Sequence, residues 1–228
     1  MTPRTRAFLR DNGLGLAFGI GFLLALAGQA VAGYAEFNNQ LTTEGLAHVG
    51  FGEYLMSSDF AVDVTENWQS EYLQFFLYIT ATVWLLQRGS PESKEMHKAG
   101  KESDRDQRVG QYAHPDSPRW AGAGGLRQAF YSRSLGLVMG TIFALSWLAQ
   151  SISGVAAYNE EQLRQLQAPI SWGGYIASAD FWSRTLQNWQ SELLAVASMA
   201  ILSVYLRQRG SPESKPVGAP HTSTGVEG

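Results

Sequence analysis

Asn67-Trp68-Gln69-Ser70-Glu71 returns in the chain as Asn188-Trp189-Gln190-Ser191-Glu192. Gln87-Arg88-Gly89-Ser90-Pro91-Glu92-Ser93-Lys94 returns as Gln208-Arg209-Gly210-Ser211-Pro212-Glu213-Ser214-Lys215. Both pairs are separated by the same 121 positions. The offset holds without a gap from 13–94 onto 134–215, and about 32 of the 82 aligned pairs are identical. Self-similarity at one fixed offset marks an internal repeat, and a period this long exceeds the ~20–50 residues of solenoid units. Each copy therefore reads as a small structural unit in its own right.

Working outward from the motifs, each copy opens on an uncharged apolar run. Leu14–Ala35 and Leu135–Tyr158 reach the roughly 20 residues that a membrane helix needs. The second run of each copy is weaker. Tyr72–Gln87 and Leu193–Leu206 are uncharged but short. Adding the turn from Asn67 or Asn188 restores the length and draws Glu71 or Glu192 into the span. The chain is thus expected to be all-α: a polytopic membrane protein with four transmembrane helices from two parallel tandem helical hairpins. The bland alternative is a soluble helical bundle, which would have to house two long uncharged runs in a small protein. Arg4, Arg6 and Arg10 before an apolar stretch, with Ala30-Val31-Ala32 behind it, imitate a cleavable signal. The matching run at Leu135–Tyr158 sits mid-chain, so an uncleaved first helix is expected.

Composition agrees with this reading. Only 16% of the 228 residues are charged, the net charge is −3 and there is no Cys. Soluble domains carry roughly 25% charged residues. The missing cysteine excludes disulfide frameworks, Cys-based metal sites and thiol catalysis. A near-neutral balance argues against nucleic acid, whose binders show a basic face. The mean hydropathy of −0.14 averages apolar runs with polar segments between them.

Lys and Arg set the orientation. The loop 36–66 has neither, and 159–187 holds only Arg164 and Arg184. Both termini are therefore expected in the cytoplasm, with the two copies inserted in the same sense. The expected organisation is a cytoplasmic N-terminus at 1–12, repeat 1 at 13–94, a flexible cytoplasmic linker at 95–133, repeat 2 at 134–215 and a disordered tail at 216–228. Asp59 and Asp180 read as N-caps of the second helices, because a carboxylate can accept from a first turn's free amides. Trp68, Trp189, Phe181 and Trp182 are expected near the outer interface.

Positions shared by the copies nominate two sets of residues. At 100° per residue, Gly15, Gly19, Phe22, Gln29 and Gly33 fall in one wedge of the first helix. All five recur as Gly136, Gly140, Phe143, Gln150 and Gly154. Small residues four apart let helix backbones approach in lipid, where apolar burial does not drive association. This wedge is expected to be a helix-packing face. On the second helix, Asn67, Glu71, Gln74, Tyr78 and Thr82 share a face, of which copy two keeps Asn188 and Glu192. An ionisable residue in a span is costly and therefore a functional candidate. The same residues also suit an interfacial role, since both carboxylates lie about one turn inside the boundary. Arg-Gly-Ser-Pro-Glu-Ser-Lys reads as a helix stop, with Arg on the C-terminal dipole, Gly at the cap and Pro blocking continuation.

His48, His97, His114 and His221 are scattered without metal-ligand spacing, and no phosphate loop, dinucleotide fingerprint or nucleophile elbow is present. No metal and no cofactor is expected. The paired Asn-Trp-Gln-Ser-Glu and Arg-Gly-Ser-Pro-Glu-Ser-Lys motifs look like those of an uncharacterised family of small bacterial integral membrane proteins. The resemblance implies the bacterial cytoplasmic membrane and no catalytic residues. The expected function is non-enzymatic, structural or partner-binding, in contact with the lipid bilayer and with further copies or another membrane protein. The alternative is a small ion, proton or solute transporter or channel using Glu71 and Glu192.

Overall fold

The computed structural model describes residues 2–226 and is all-α, with no strand among them. In chain order the helices are α1 (Pro3–Asp11), α2 (Gly13–Thr43), α3 (Phe51–Leu55), α4 (Ser58–Ala81), α5 (Gly125–Tyr131), α6 (Ser134–Arg164), α7 (Trp172–Ile176) and α8 (Ala179–Tyr205). α2 and α6 are each 31 residues long and are the two helices long and apolar enough to cross a membrane. α4 and α8 do not meet that test. α4 carries Asp59, Asp63, Glu66 and Glu71, and α8 carries Asp180, Arg184 and Glu192.

The bounds of α2, α3 and α4 begin 121 positions before those of α6, α7 and α8. The turns between them use the same devices. Asn38 accepts from the Val49 amide at 2.9 Å and donates to the Val49 carbonyl at 3.4 Å. Asn159 does the same to Ile170 at 2.8 and 2.9 Å. One side-chain amide thereby satisfies both backbone groups of a loop residue and ties it to the preceding helix. The caps of α4 and α8 are Ser57 and Ser178, whose hydroxyls accept from Phe60 and Phe181. This corrects the expectation for Asp59 and Asp180. The serines have the extended backbone of a cap, and the aspartates sit in the first turn, where a negative charge still suits the dipole.

The second helices also end earlier than expected, at Ala81 and Tyr205 rather than at Arg88 and Arg209. The Gln87 amide bonds to the Ser93 hydroxyl and Gln208 to Ser214, each at 2.9 Å, so these amides leave the helical ladder. Gly89 and Gly210 then turn the chain at φ 87 and 81. The segment 95–133, expected to be a linker, is built from turns, a 3-10 turn at Gly110–Tyr112 and α5. The tail, expected to be disordered, folds back. The Lys215 ammonium donates to the carbonyls of Pro220, His221 and Ser223 at 2.9–3.3 Å. Thr224 accepts from the Gly89 amide at 2.9 Å. Residues 227–228 of that tail lie outside the described residues.

Packing departs from two simple hairpins. α4 packs far more extensively on α6, the first helix of the other copy, than on its own neighbour α2. Gly136 faces Thr80, Gly140 faces Phe76 and Ser58 donates to Glu160, so α4 and α6 run antiparallel in close contact. α8 lies parallel to α4 and is spaced from α6 by aromatic rings. Trp147 stacks on Phe143 and Phe181 and meets Trp182 and Trp189 edge-on or tilted, at 5.6–6.1 Å. α2 is held at its loop end by Phe37, Leu41 and Tyr54, with Arg164 over the Phe37 ring and 3.7 Å from Glu44.

Candidate functional site

The polar stripe of α4 meets its repeat counterpart on α8 along one seam, so residues 121 positions apart come face to face. Three levels of that seam carry polar chemistry.

At the loop end, Arg184 stands among three carboxylates: Glu66 at 3.2 Å, Asp180 at 3.6 Å and Asp63 at 4.0 Å. Asp63 occupies the repeat position of Arg184, so the copies carry opposite charges where they meet. Tyr175 of α7 is fully buried and donates to Asp180 at 3.2 Å. Burial, then the Asp180 charge and hydrogen bond, push its phenol well above the ordinary tyrosine value. Tyr175 therefore acts as a donor and holds Asp180 toward Arg184.

One turn further in, the Trp189 indole donates to the Gln69 side-chain oxygen at 2.7 Å. Gln69 is wholly buried. This contact uses the Trp of copy two and the Gln of copy one; Trp68 and Gln190 do not make its counterpart. Asn67 and Asn188 bond the carbonyls of Asp63 and Arg184 in their own helices, and Ser70 and Ser191 bond those of Asn67 and Asn188. Those residues order their own turns rather than reach into the seam. Glu71 is exposed and Glu192 partly so. Neither has an ion-pair partner among the described residues.

At the linker end, Gln74, Phe75 and Tyr78 of α4 enclose a cavity of about 370 Å3 with Ala195, Val196 and Met199 of α8. Glu92 and Glu213, the glutamates of the two Ser-Pro-Glu-Ser-Lys turns, close it. Tyr78 donates to Glu92. Burial first, then the hydrogen bond and charge of Glu213, raise Glu92 to about 7. Two carboxyls this close resist ionising together, so the pair tends to hold one proton near neutrality. A larger cavity, about 1140 Å3, lies against the linker and is lined by charges of both signs, including Lys101, Glu102, Asp104 and Arg108. It lacks the convergence of groups seen at Glu92.

The expected packing wedge divides. Tyr54 is pressed against Gly33 and Tyr175 against Gly154, so close that an added Cβ at either glycine would overlap the ring. Phe22 meets Trp68 at 6.2 Å and Phe143 meets Trp189 at 6.3 Å. At the linker end the copies differ. Phe76 lies 3.0 Å from a Cβ built on Gly140, whereas Gly15 and Gly19 have no neighbour within 4 Å. Gln150 is fully buried, its amide without a hydrogen-bond partner in the protein, and Gln29 is half-buried.

Of the expected stripe, Gln74 and Tyr78 reach the cavity, and Asn67, Glu71, Asn188 and Glu192 do not line it. Glu92, Glu213 and Arg184 lie outside the residues that the repeat and the helical spacing nominate. Two signals pointed to them: a carboxylate retained in both stop motifs, and an Asp-to-Arg exchange at one repeat position. Among the described residues no group of three His, Asp or Glu could hold a metal.

The chain matches the model of a family described as a domain of unknown function, DUF6766, over residues 5–226, and it belongs to that family. No curated protein and no solved structure matches it.

Proposed function

We propose that this DUF6766 chain is a four-span protein of the bacterial cytoplasmic membrane with both termini inside. It is built from a duplicated hairpin and acts without catalysis, through packing and partner contacts. The observation that carries this is α2. It has a mean hydropathy of 2.0 and only 6% of its apolar window buried, with Leu14, Phe18, Leu23 and Leu24 all exposed. Water does not tolerate so long an apolar face, and lipid or another helix does. α4 and α8 are polar where they face each other along the seam, which suits helices that cross inside a bundle.

Single cysteines test the spans on a background with none. Thr5→Cys, His48→Cys, Lys101→Cys and Gln167→Cys are treated in intact cells with a membrane-impermeant thiol reagent. Labelling at 48 and 167 alone supports four spans. Labelling at 101 would leave only two.

The second reading is proton or cation handling, favoured by the meeting of Glu92, Glu213, Tyr78 and Gln74 at one cavity. It moves the chemistry from Glu71 and Glu192 to the linker end of the same seam. Cysteines along α4 at 71, 74, 78 and 82 read water access there. A flux in reconstituted vesicles that survives Glu92→Gln with Glu213→Gln would remove this reading.

A further inference from the structure

The α4–α6 contact joins two faces, and the repeat counterpart of each face is open. On α4, Ser70 is 1% and Leu73 9% exposed, and one to two turns further along the same helix Phe76 and Thr80 meet Gly140 and Gly136 of α6. The counterparts of Ser70 and Leu73 on α8 are Ser191, which is exposed, and Leu194, 61% exposed. On α2, the counterparts of Gly136 and Gly140 are Gly15 and Gly19, with nothing within 4 Å. One donor face and one acceptor face are thus left over. α2 keeps the two glycines of α6, whereas α8 presents Leu194, Ala197 and Ile201 where α4 presents Leu73, Phe76 and Thr80, and a contact in this register exists once in the chain.

We infer that the glycine face of α2 docks on the Leu194–Ala197–Ile201 face of α8 in a second copy of this chain, repeating the α6–α4 contact between molecules. The inference rests on the proposed reading of a membrane protein that acts by association, and it names the partner. A second copy is favoured over the chain's own α8 because the loop end of α2 is already tied to α6. Arg164 of α6 covers Phe37 and reaches Glu44 at 3.7 Å, so closure on the same chain's α8 would draw α2 away from α6. A twofold axis along the membrane normal satisfies both leftovers at once. α2 of each copy meets α8 of the other, and the interface closes without generating a filament. The glycines have the same work as Gly136 and Gly140, which is to let two backbones approach where lipid supplies no apolar driving force.

Disulfide trapping tests this directly. In the existing contact, the Thr80 methyl lies 3.7 Å from a Cβ built on Gly136, so side chains at these two positions meet. Thr80→Cys with Gly136→Cys in one chain is the positive control and closes within the monomer on oxidation. The counterpart pair is Ile201→Cys and Gly15→Cys. These are placed on separate, differently tagged chains co-expressed in one membrane, with Ala197→Cys and Gly19→Cys as the second pair. A mixed disulfide dimer that neither chain yields alone is the expected result. No mixed dimer with a positive control that closes would overturn the inference. So would a cross-link that forms only when both cysteines share one chain, since the occupant would then be the chain's own α8. The impermeant-reagent map reads the spans independently, so a chain that spans four times and gives no mixed dimer loses its second copy and keeps its membrane placement.

Discussion

The two hairpins share element bounds and loop clamps, yet they hold themselves together differently. Repeat 2 inserts Trp147 into a cluster of Phe143, Phe181, Trp182 and Trp189, and its first helix lies against α4. Repeat 1 has Leu26 where repeat 2 has Trp147, keeps of that cluster the Phe22–Trp68 contact beside the rings around Tyr54 at the loop end, and leaves the linker half of α2 bare. The shared positions encode a contact type, and the residues around it choose the partner of that contact. Large rings set α6 and α8 apart and leave α6 free to settle on α4 through its glycines.

Four substitutions sharpen this contrast, taken from the largest effect down. Gly140→Leu should cost about 3 kcal/mol, the upper end of overpacking, because the new side chain meets the Phe76 ring. Its counterpart Gly19→Leu should shift stability in dilute detergent by less than about 0.5 kcal/mol, as for an open surface site. Denaturation of both variants side by side checks this; equal losses would mean that α2 is packed like α6. Trp189→Phe removes the donor to the buried Gln69 oxygen and should cost about 1–2 kcal/mol. Trp68→Phe, at an exposed indole with no hydrogen bond, should fall within about 0.5 kcal/mol of the parent. Thermal melts of the pair decide whether the seam is one-sided.

The third contrast is at the ends of α2 and α6. Gly45 takes φ 72 at the end of the first, and Leu166 takes φ 60 at the matching position of the second. A left-handed backbone costs an L side chain about 1 kcal/mol, so Leu166→Gly should stabilise by up to about that much. Gly45→Leu should cost a similar amount. Opposite shifts in melting temperature are the expected sign.

The last contrast is a dependence on pH. Glu92 holds its proton to about pH 7 in the folded chain, against an ordinary value of 4.5. The folded state therefore binds more protons between those values, and linkage makes it lose stability as pH rises through that window. The contribution is complete below about 4.5 and gone above about 7. Melting temperature should fall across this range in the parent and fall less in Glu92→Gln. An identical slope in both would take Glu92 out of the account.

Much of this architecture is legible in the residues. The uncharged runs locate α2 and α6, and the fixed offset matches the element bounds of one copy to the other. The helix ends are less legible because they depend on hydrogen bonds of small hydroxyls. Ser57, Ser178, Ser93 and Ser214 each take a backbone amide that periodicity assigns elsewhere. The pairing of α4 with α6 is not legible at all. The glycines of α2 and α6 are the same, and only the neighbouring rings distinguish them. Glu92 looked like part of a stop signal because its role depends on Glu213, brought beside it by the parallel course of α4 and α8.

The tail that folds back has a consequence in time. Gly89 lies 135 residues before Thr224, whose hydroxyl takes its amide, and His221 comes so close that a side chain at Gly89 would collide with its carbonyl. A ribosome adds about 5–20 residues each second. The turn after α4 therefore waits on the order of ten seconds for the residues that close over it. Throughout that interval the Glu92 end of the first hairpin stands uncovered.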